Sequence, residues 1–160
     1  MKKEKLKFKI QFYATMWDKA PYVKVMLNNR VYWKGDITGT SEKPDVIEFE
    51  ETLHEKFNYE LRFKRLNKDD SQTIVNDKGD ILHDQLLHIK SIEIDEIDIG
   101  SLVFEGVYTP IYPEPWATQQ ANAGNELPKT LKNVTQMGHD GEWRFTFTSP
   151  FYMWLLENLY

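Results

Sequence analysis

The 160-residue chain has no cysteine, which removes disulfides, thiolate metal sites and a cysteine nucleophile together. No apolar run approaches the roughly 20 residues that span a bilayer. The charged start, from Lys2 to Lys9, lacks the core of a signal peptide. Membrane insertion is therefore not expected, and synthesis in a cytoplasm is. Basic charge is also short. Twenty Lys and Arg against 25 Asp and Glu leave a net charge of −5, which argues against a general nucleic-acid binder because phosphate contacts need a basic face. There is no Gly-rich phosphate loop and no nucleophile elbow. His54, His83, His88 and His139 lack the close spacing of a zinc pair. Paired carboxylates could hydrolyse a glycoside, yet no acid sits alone in an apolar setting that would raise its pKa. The chain is expected to be no enzyme.

What the chain does have is aromatic side chains: five Trp, eight Tyr and nine Phe, 14% of all residues. These residue types favour pleated sheets and partner or ligand surfaces. The first hundred residues alternate with period two, the sign of strands with one apolar face. Such runs are Leu6 to Phe12, Tyr22 to Leu27, Arg30 to Trp33, Val46 to Glu50, Asn58 to Lys64 and Leu86 to Ile99. The lysines from Lys3 to Lys9 fall on the wet side of the first strand. Asn28-Asn29 tolerates the positive φ of a tight hairpin. A polar loop is expected from Asn67 to about Asp84. Short strands at this spacing make a sandwich or barrel.

The last third changes character. Pro110, Pro113 and Pro115, set among Tyr108, Tyr112 and Trp116, favour an extended arm without ladder hydrogen bonds. Ala117 to Gly138 has no period and is expected to be a long loop. Gly141 to Thr148 is one late strand, and Ser149 and Pro150 open a short terminal helix as its cap and first turn. The expected fold is an all-β, jelly-roll-like β-sandwich over 1–104. Residues 105–160 form a C-terminal extension that packs on the sandwich or on a partner subunit. Phe151, Tyr152, Trp154, Leu155 and Tyr160 leave that helix almost no polar face, so it must be buried in its own domain or in a neighbour. With Tyr112 and Trp116 they are the candidate partner-binding residues.

Two further sets of side chains could carry function. Asp69, Asp70, Asp77, Asp80 and Asp84 offer carboxylate oxygens to a cation, calcium being the candidate, although their spacing is not that of the helix-loop-helix calcium site. The same residues are also ordinary loop formers. Trp17, Tyr32 and Trp33 fall at strand ends or turns, where an indole or phenol ring can stack on a sugar or on another protein.

The stretch from Pro21 to Ile99 resembles the calcium-dependent xylan-binding carbohydrate-binding modules. Three segments carry the likeness: the strand pair Pro21 to Val31, the strand and turn Tyr59 to Asp70, and the run Asp84 to Ile92. The resemblance implies a jelly-roll sandwich in which calcium, held by loop acids, bridges sugar hydroxyls. This chain has Lys90 and Leu86 where the family has Asp and Asn, so only Asp84 and the pair Asp69 and Asp70 carry over as ligands. The whole chain, including Ser149 to Tyr160, also looks like small virion-associated proteins of marine tailed phages. That likeness implies a structural protein of the virion, made in the host cytoplasm, whose partners are itself or other virion proteins. The leading expectation is such an assembly protein. The alternative is a calcium-dependent, glycan-binding adhesion module.

Overall fold

The computed structural model describes residues 2–67, 73–75, 77–78 and 81–159. Its strands, in chain order, are β1 (Lys3–Thr15), β2 (Tyr22–Leu27), β3 (Arg30–Asp36), β4 (Asp45–His54), β5 (Asn58–Leu66), β6 (Thr73–Val75), β7 (Ile81–Asp84), β8 (Leu86–Ile94), β9 (Ile97–Asp98), β10 (Val107–Ile111), β11 (Leu131–Lys132), β12 (Gln136–Met137) and β13 (Asp140–Thr148). A 3-10 helix (Gly100–Glu105) and two α-helices, α1 (Trp116–Asn122) and α2 (Phe151–Leu159), complete the described elements. One sheet runs β12-β8-β1-β4 with β9 beside β8; the other runs β11-β10-β13-β5-β2-β3; β6 and β7 pair as a ribbon.

The period-two pattern explains the packing. Leu6, Phe8, Ile10 and Phe12 of β1 face inward, as do Val23, Val25 and Leu27 of β2 and Trp143, Phe145 and Phe147 of β13. Their rings meet across the sheets: Phe12 packs edge-on to Phe63 at 4.9 Å, and Phe63 stacks on Trp143 at 5.0 Å. Outward residues of β1 stay wet. Lys5 pairs with Glu50 at 3.0 Å and Lys9 with Glu93 at 4.0 Å, so acids of the flanking strands interleave with the basic N-terminal run.

The all-β sandwich stands as expected, and so does the Asn28-Asn29 hairpin. Asn28 takes φ 51°, and its side chain accepts a hydrogen bond from the Glu60 amide at 2.9 Å. The boundary at 104/105 does not stand. β13 lies between β10 and β5, so the last third completes the second sheet rather than extending a finished domain. The extended arm is partly strand as well. β11 pairs only with Val107 and Tyr108, so Pro110 sits where β10 has become the sheet edge, a place that tolerates a strand proline. The two stretches read as loops hold a β-ribbon (β6 and β7) and, between 117 and 138, α1, β11 and β12.

The terminal helix is present, but its cap differs. The Glu4 carboxylate of β1 accepts from the Phe151 amide at 2.7 Å and from the Ser149 hydroxyl at 2.6 Å. A carboxylate at a helix N-terminus satisfies orphan N–H groups and opposes the helix dipole. Ser149 thus orients the cap instead of being it. Phe151 and Leu155 are buried in the chain's own core, which takes them out of the partner-binding set.

Gly141 and Gly106 are among the glycines that contact or conformation requires. Gly141 takes φ 142°, and a Cβ there would stand 2.3 Å from the Thr109 carbonyl oxygen. At Gly106 a Cβ would stand 2.1 Å from the Trp143 indole. Gly106→Ala is therefore expected to lower the unfolding free energy by about 2 kcal/mol through overpacking. Gly138→Ala would meet only the Leu86 side chain, at 3.6 Å, and should stay within about 0.5 kcal/mol of the parent. Urea denaturation of the three proteins measures both.

Candidate functional site

The strand register collects the candidate residues at one end of the sandwich. Thr15 at the end of β1 pairs with Leu86 at the start of β8, and Tyr22 at the start of β2 pairs with Leu66 at the end of β5. Gly141 of β13 pairs with Arg65, Asp140 with Ile111, and β12 lies against Leu87 and His88. The β1–β2 loop with Trp17, the residues Asp84 and Gln85, and the start of the 112–138 segment all meet here.

Inside this end lies Arg65. Alternation along β5 puts Leu61, Phe63 and Arg65 on the inward face, and the guanidinium is fully buried. Its Nη1 donates to the Met137 carbonyl, and its Nη2 donates to the Gln85 carbonyl at 3.0 Å and to the Gln85 side-chain oxygen. Gln85 in turn donates its side-chain amide to the Lys19 carbonyl at 2.6 Å. One cation so joins β5, β12, the entry to β8 and the Trp17 loop. Burial pulls Arg65 below its usual range, while Tyr108, Asp140 and Asp84 act in the opposite sense. Its Nε has no hydrogen-bond partner among the described residues.

Next to this cation stands a cluster of three rings. His139 lies edge-on to Tyr112 at 5.1 Å and stacked near Trp116 at 5.8 Å, and Tyr112 and Trp116 are 5.9 Å apart. All three are half-buried. The cluster is pinned by hydrogen bonds. The Tyr112 hydroxyl donates to the Pro128 carbonyl at 2.5 Å, and the Tyr108 hydroxyl donates to the His139 carbonyl while accepting from its amide at 3.0 Å. Burial raises the Tyr108 phenol well above its usual range, keeping it a neutral donor. Asp140 follows His139 in the chain, and its charge acts on Arg65 and Tyr108.

The sequence-based candidates divide. Trp17 is 37% exposed and lies at the same end as Tyr112 and Trp116. Tyr32 and Trp33 do not join them; they pack against the core from β3. The Tyr32 ring stacks on Phe49 at 4.3 Å, and its hydroxyl donates to Glu51 where the edges of the two sheets meet. Burial first, and Glu51 second, push that phenol up to about 12. This side chain closes a seam and is not a free ligand contact. Of the metal candidates, Asp77 is exposed in a turn, and Asp84 is half-buried with Oδ1 accepting from the Gln85 amide at 2.8 Å. Asp69, Asp70 and Asp80, like Tyr160, lie outside the described residues. Among the described residues no three His, Cys, Asp or Glu side chains gather to hold a metal. Calcium needs six to eight oxygens, and the carbonyls of Gln85 and Met137 are already taken by Arg65, so the residues described do not fit that ion. Sequence reasoning missed Arg65, His139 and Asp140. Only Arg65 had a signal, its place in the Leu61-Phe63-Arg65 alternation.

On the terminal helix, Tyr152, Met153 and Leu156 are 59%, 55% and 40% exposed, and Trp154 lies half-buried against Phe145 at 5.5 Å. No described helix is long and apolar enough to cross a membrane.

No family model and no curated protein matches the chain. Among solved structures, vCBM60 in complex with galactobiose shares the fold with a TM-score of 0.50 at 9% identity, over 87% of this chain and 96% of that one. The selenomethionine form of vCBM60 also has a TM-score of 0.50 at 9% identity, over 88% of this chain and 89% of that one. It is described in connection with a circular permutation that links two families of calcium-dependent carbohydrate-binding modules. The chain is an all-β sandwich of the kind that carbohydrate-binding modules build.

His88 gives this end a pH dependence. It stacks on Tyr13 at 4.3 Å on the strand face, and burial first, then the Arg65 charge, hold it below the ordinary histidine value of 6.5. Below that pH the unfolded chain binds a proton that the folded chain does not, so stability present above it is lost as pH falls through it. The unfolding free energy should drop from about pH 7 to about pH 5, and His88→Gln should flatten that drop. Denaturant titrations at the two values read it, and an equal drop in both proteins would refute the assignment.

Proposed function

We propose that this chain is a non-catalytic glycan-binding module whose ligand rests on the rings of Tyr112, Trp116 and His139. The observation that carries the reading is the ring cluster itself: three half-buried rings at one end of the sandwich, two of them tied by hydrogen bonds, with Asp140 next to His139 in the chain. An aromatic face offers apolar contact to the CH face of a sugar, and a nearby carboxylate accepts from its hydroxyls. The likeness to a module solved with galactobiose supports the reading at the level of fold. Trp17, at the same end, supplies an exposed indole. Calorimetry with a panel of oligosaccharides tests it. One glycan should bind, and Trp116→Ala should weaken that binding about tenfold, the loss of about 1.4 kcal/mol of contact. No binding across the panel, or binding that Trp116→Ala and Tyr112→Ala both leave intact, would end the proposal.

A second reading, assembly with itself or with other structural proteins, has one observation in its favour: the exposed Tyr152, Met153 and Leu156 of α2. The virion setting rests on sequence texture, and neither structural match adds to it. On this reading the chain self-associates in light scattering, and Tyr152→Asp with Leu156→Asp returns it to a monomer. A parent that is monomeric at high concentration would remove self-assembly.

A further inference from the structure

Four oxygen-bearing groups turn toward the interior of the sandwich end or flank it: the carbonyls of Gln85 and Met137, the Gln85 side chain and the Asp84 carboxylate. Oxygens gathered at loop ends are what a hard cation takes as ligands. Here a guanidinium already engages three of them directly, with Asp84 and Asp140 acting on it electrostatically. Through Gln85 it also reaches the Lys19 carbonyl, so the Trp17 loop hangs on the same group. Arginine suits the place because its donors form a planar fork that reaches several acceptors at once, which a cluster of carbonyls needs in order to stay buried.

We infer that Arg65, and not a calcium ion, is the cation that organises this end of the sandwich, so that the chain folds and presents its ring cluster without calcium. Calcium-independent folding stands whether or not the chain binds glycan; calcium-independent ligand binding rests on the glycan reading. The inference sets this chain apart from the calcium dependence described for the modules whose fold it shares. It also gives Asp84 a different task from the one implied by the sequence resemblance: its charge serves Arg65 and its Oδ1 caps the Gln85 amide.

The test uses the full chain stripped with EGTA and then titrated with calcium chloride, with no glycan present. A ligand that binds only the folded state at about 100 times its dissociation constant raises the melting temperature by several degrees. The expected result is no shift and no saturable heat. A saturable calcium heat, or a melting temperature that rises with calcium and falls back with EGTA, overturns the inference, whichever acid is responsible. Arg65→Lys keeps the charge and loses the fork; it should melt roughly 10 °C lower, and calcium should not restore it. A variant as stable as the parent, or one rescued by calcium, also overturns it. Any glycan found to bind should bind equally in EGTA and in calcium.

Discussion

β13 enters the second sheet between β10 and β5, and the rings it carries join the two halves of that sheet to the sheet opposite. Phe63 of β5 stacks on Trp143, Phe12 of β1 meets Phe63 edge-on, and Phe8 lies 6.2 Å from Phe147. Removing β13 from this order would leave β11-β10 on one side and β5-β2-β3 on the other with no ladder between them. The pairing with β5 closes a long loop, a cost that grows slowly with length, while each buried aromatic returns a large apolar area. Two details follow from the size of the Trp143 indole: Gly106 must leave room for its ring, and its N–H must reach an acceptor, which it finds in the Val134 carbonyl at 3.2 Å. α2 follows β13 directly, and the Glu4 carboxylate clamps it to the first strand, so the beginning and end of the described chain hold each other.

The same order decides what the sandwich end looks like. Setting β13 beside β5 places Gly141 opposite Arg65 and Asp140 beyond it, and brings His139 to Tyr108. A buried charge is costly unless its donors are satisfied. The acceptors for Arg65 come from β12 and from Gln85, both in the sheet opposite or at its entrance. The guanidinium therefore acts as a tie between the two sheets at this end. At the opposite lateral edge another polar contact does comparable work. Tyr32 and Arg30 meet Glu51 across the seam between β3 and β4, with the Arg30 guanidinium 5.2 Å from the Tyr32 ring.

How much of this the sequence reveals depends on whether the signal is local. Alternation of side chains is local, and β1, β2, β5 and β8 could be read from it because one face of each is buried and the other wet. The Asn28 turn is local too. Sheet order is not: nothing near Gly141 to Thr148 says that this strand lies in the middle of a sheet, so the last third read as an appendage. Proline bias misled for a related reason. Three prolines argue against a central strand, and Pro110 is tolerated because the two-residue β11 ends before reaching it, a fact set by a segment some twenty residues away. The cap of α2 was likewise sought in the neighbouring Ser149, whereas the carboxylate that provides it comes from Glu4 of the first strand.

The candidate site was half legible for the same reason. Tyr112 and Trp116 stand out by composition, but the ring that packs with both, His139, arrives from the far side of a stretch that shows no period. Tyr32 and Trp33 stand out equally, and β3 turns both toward the core. Aromatic count alone cannot separate these fates; burial and hydrogen bonding do. The phenylalanine rings of the core have no polar group to satisfy. At the sandwich end, Tyr112 is held through its hydroxyl, and Tyr108 holds His139 by both backbone groups. Rings fixed before a ligand arrives lose little freedom when it binds. On the proposed glycan reading, that is what would separate an aromatic residue that fills space from one that meets a ligand, and the rings concerned are Tyr112, Trp116 and His139.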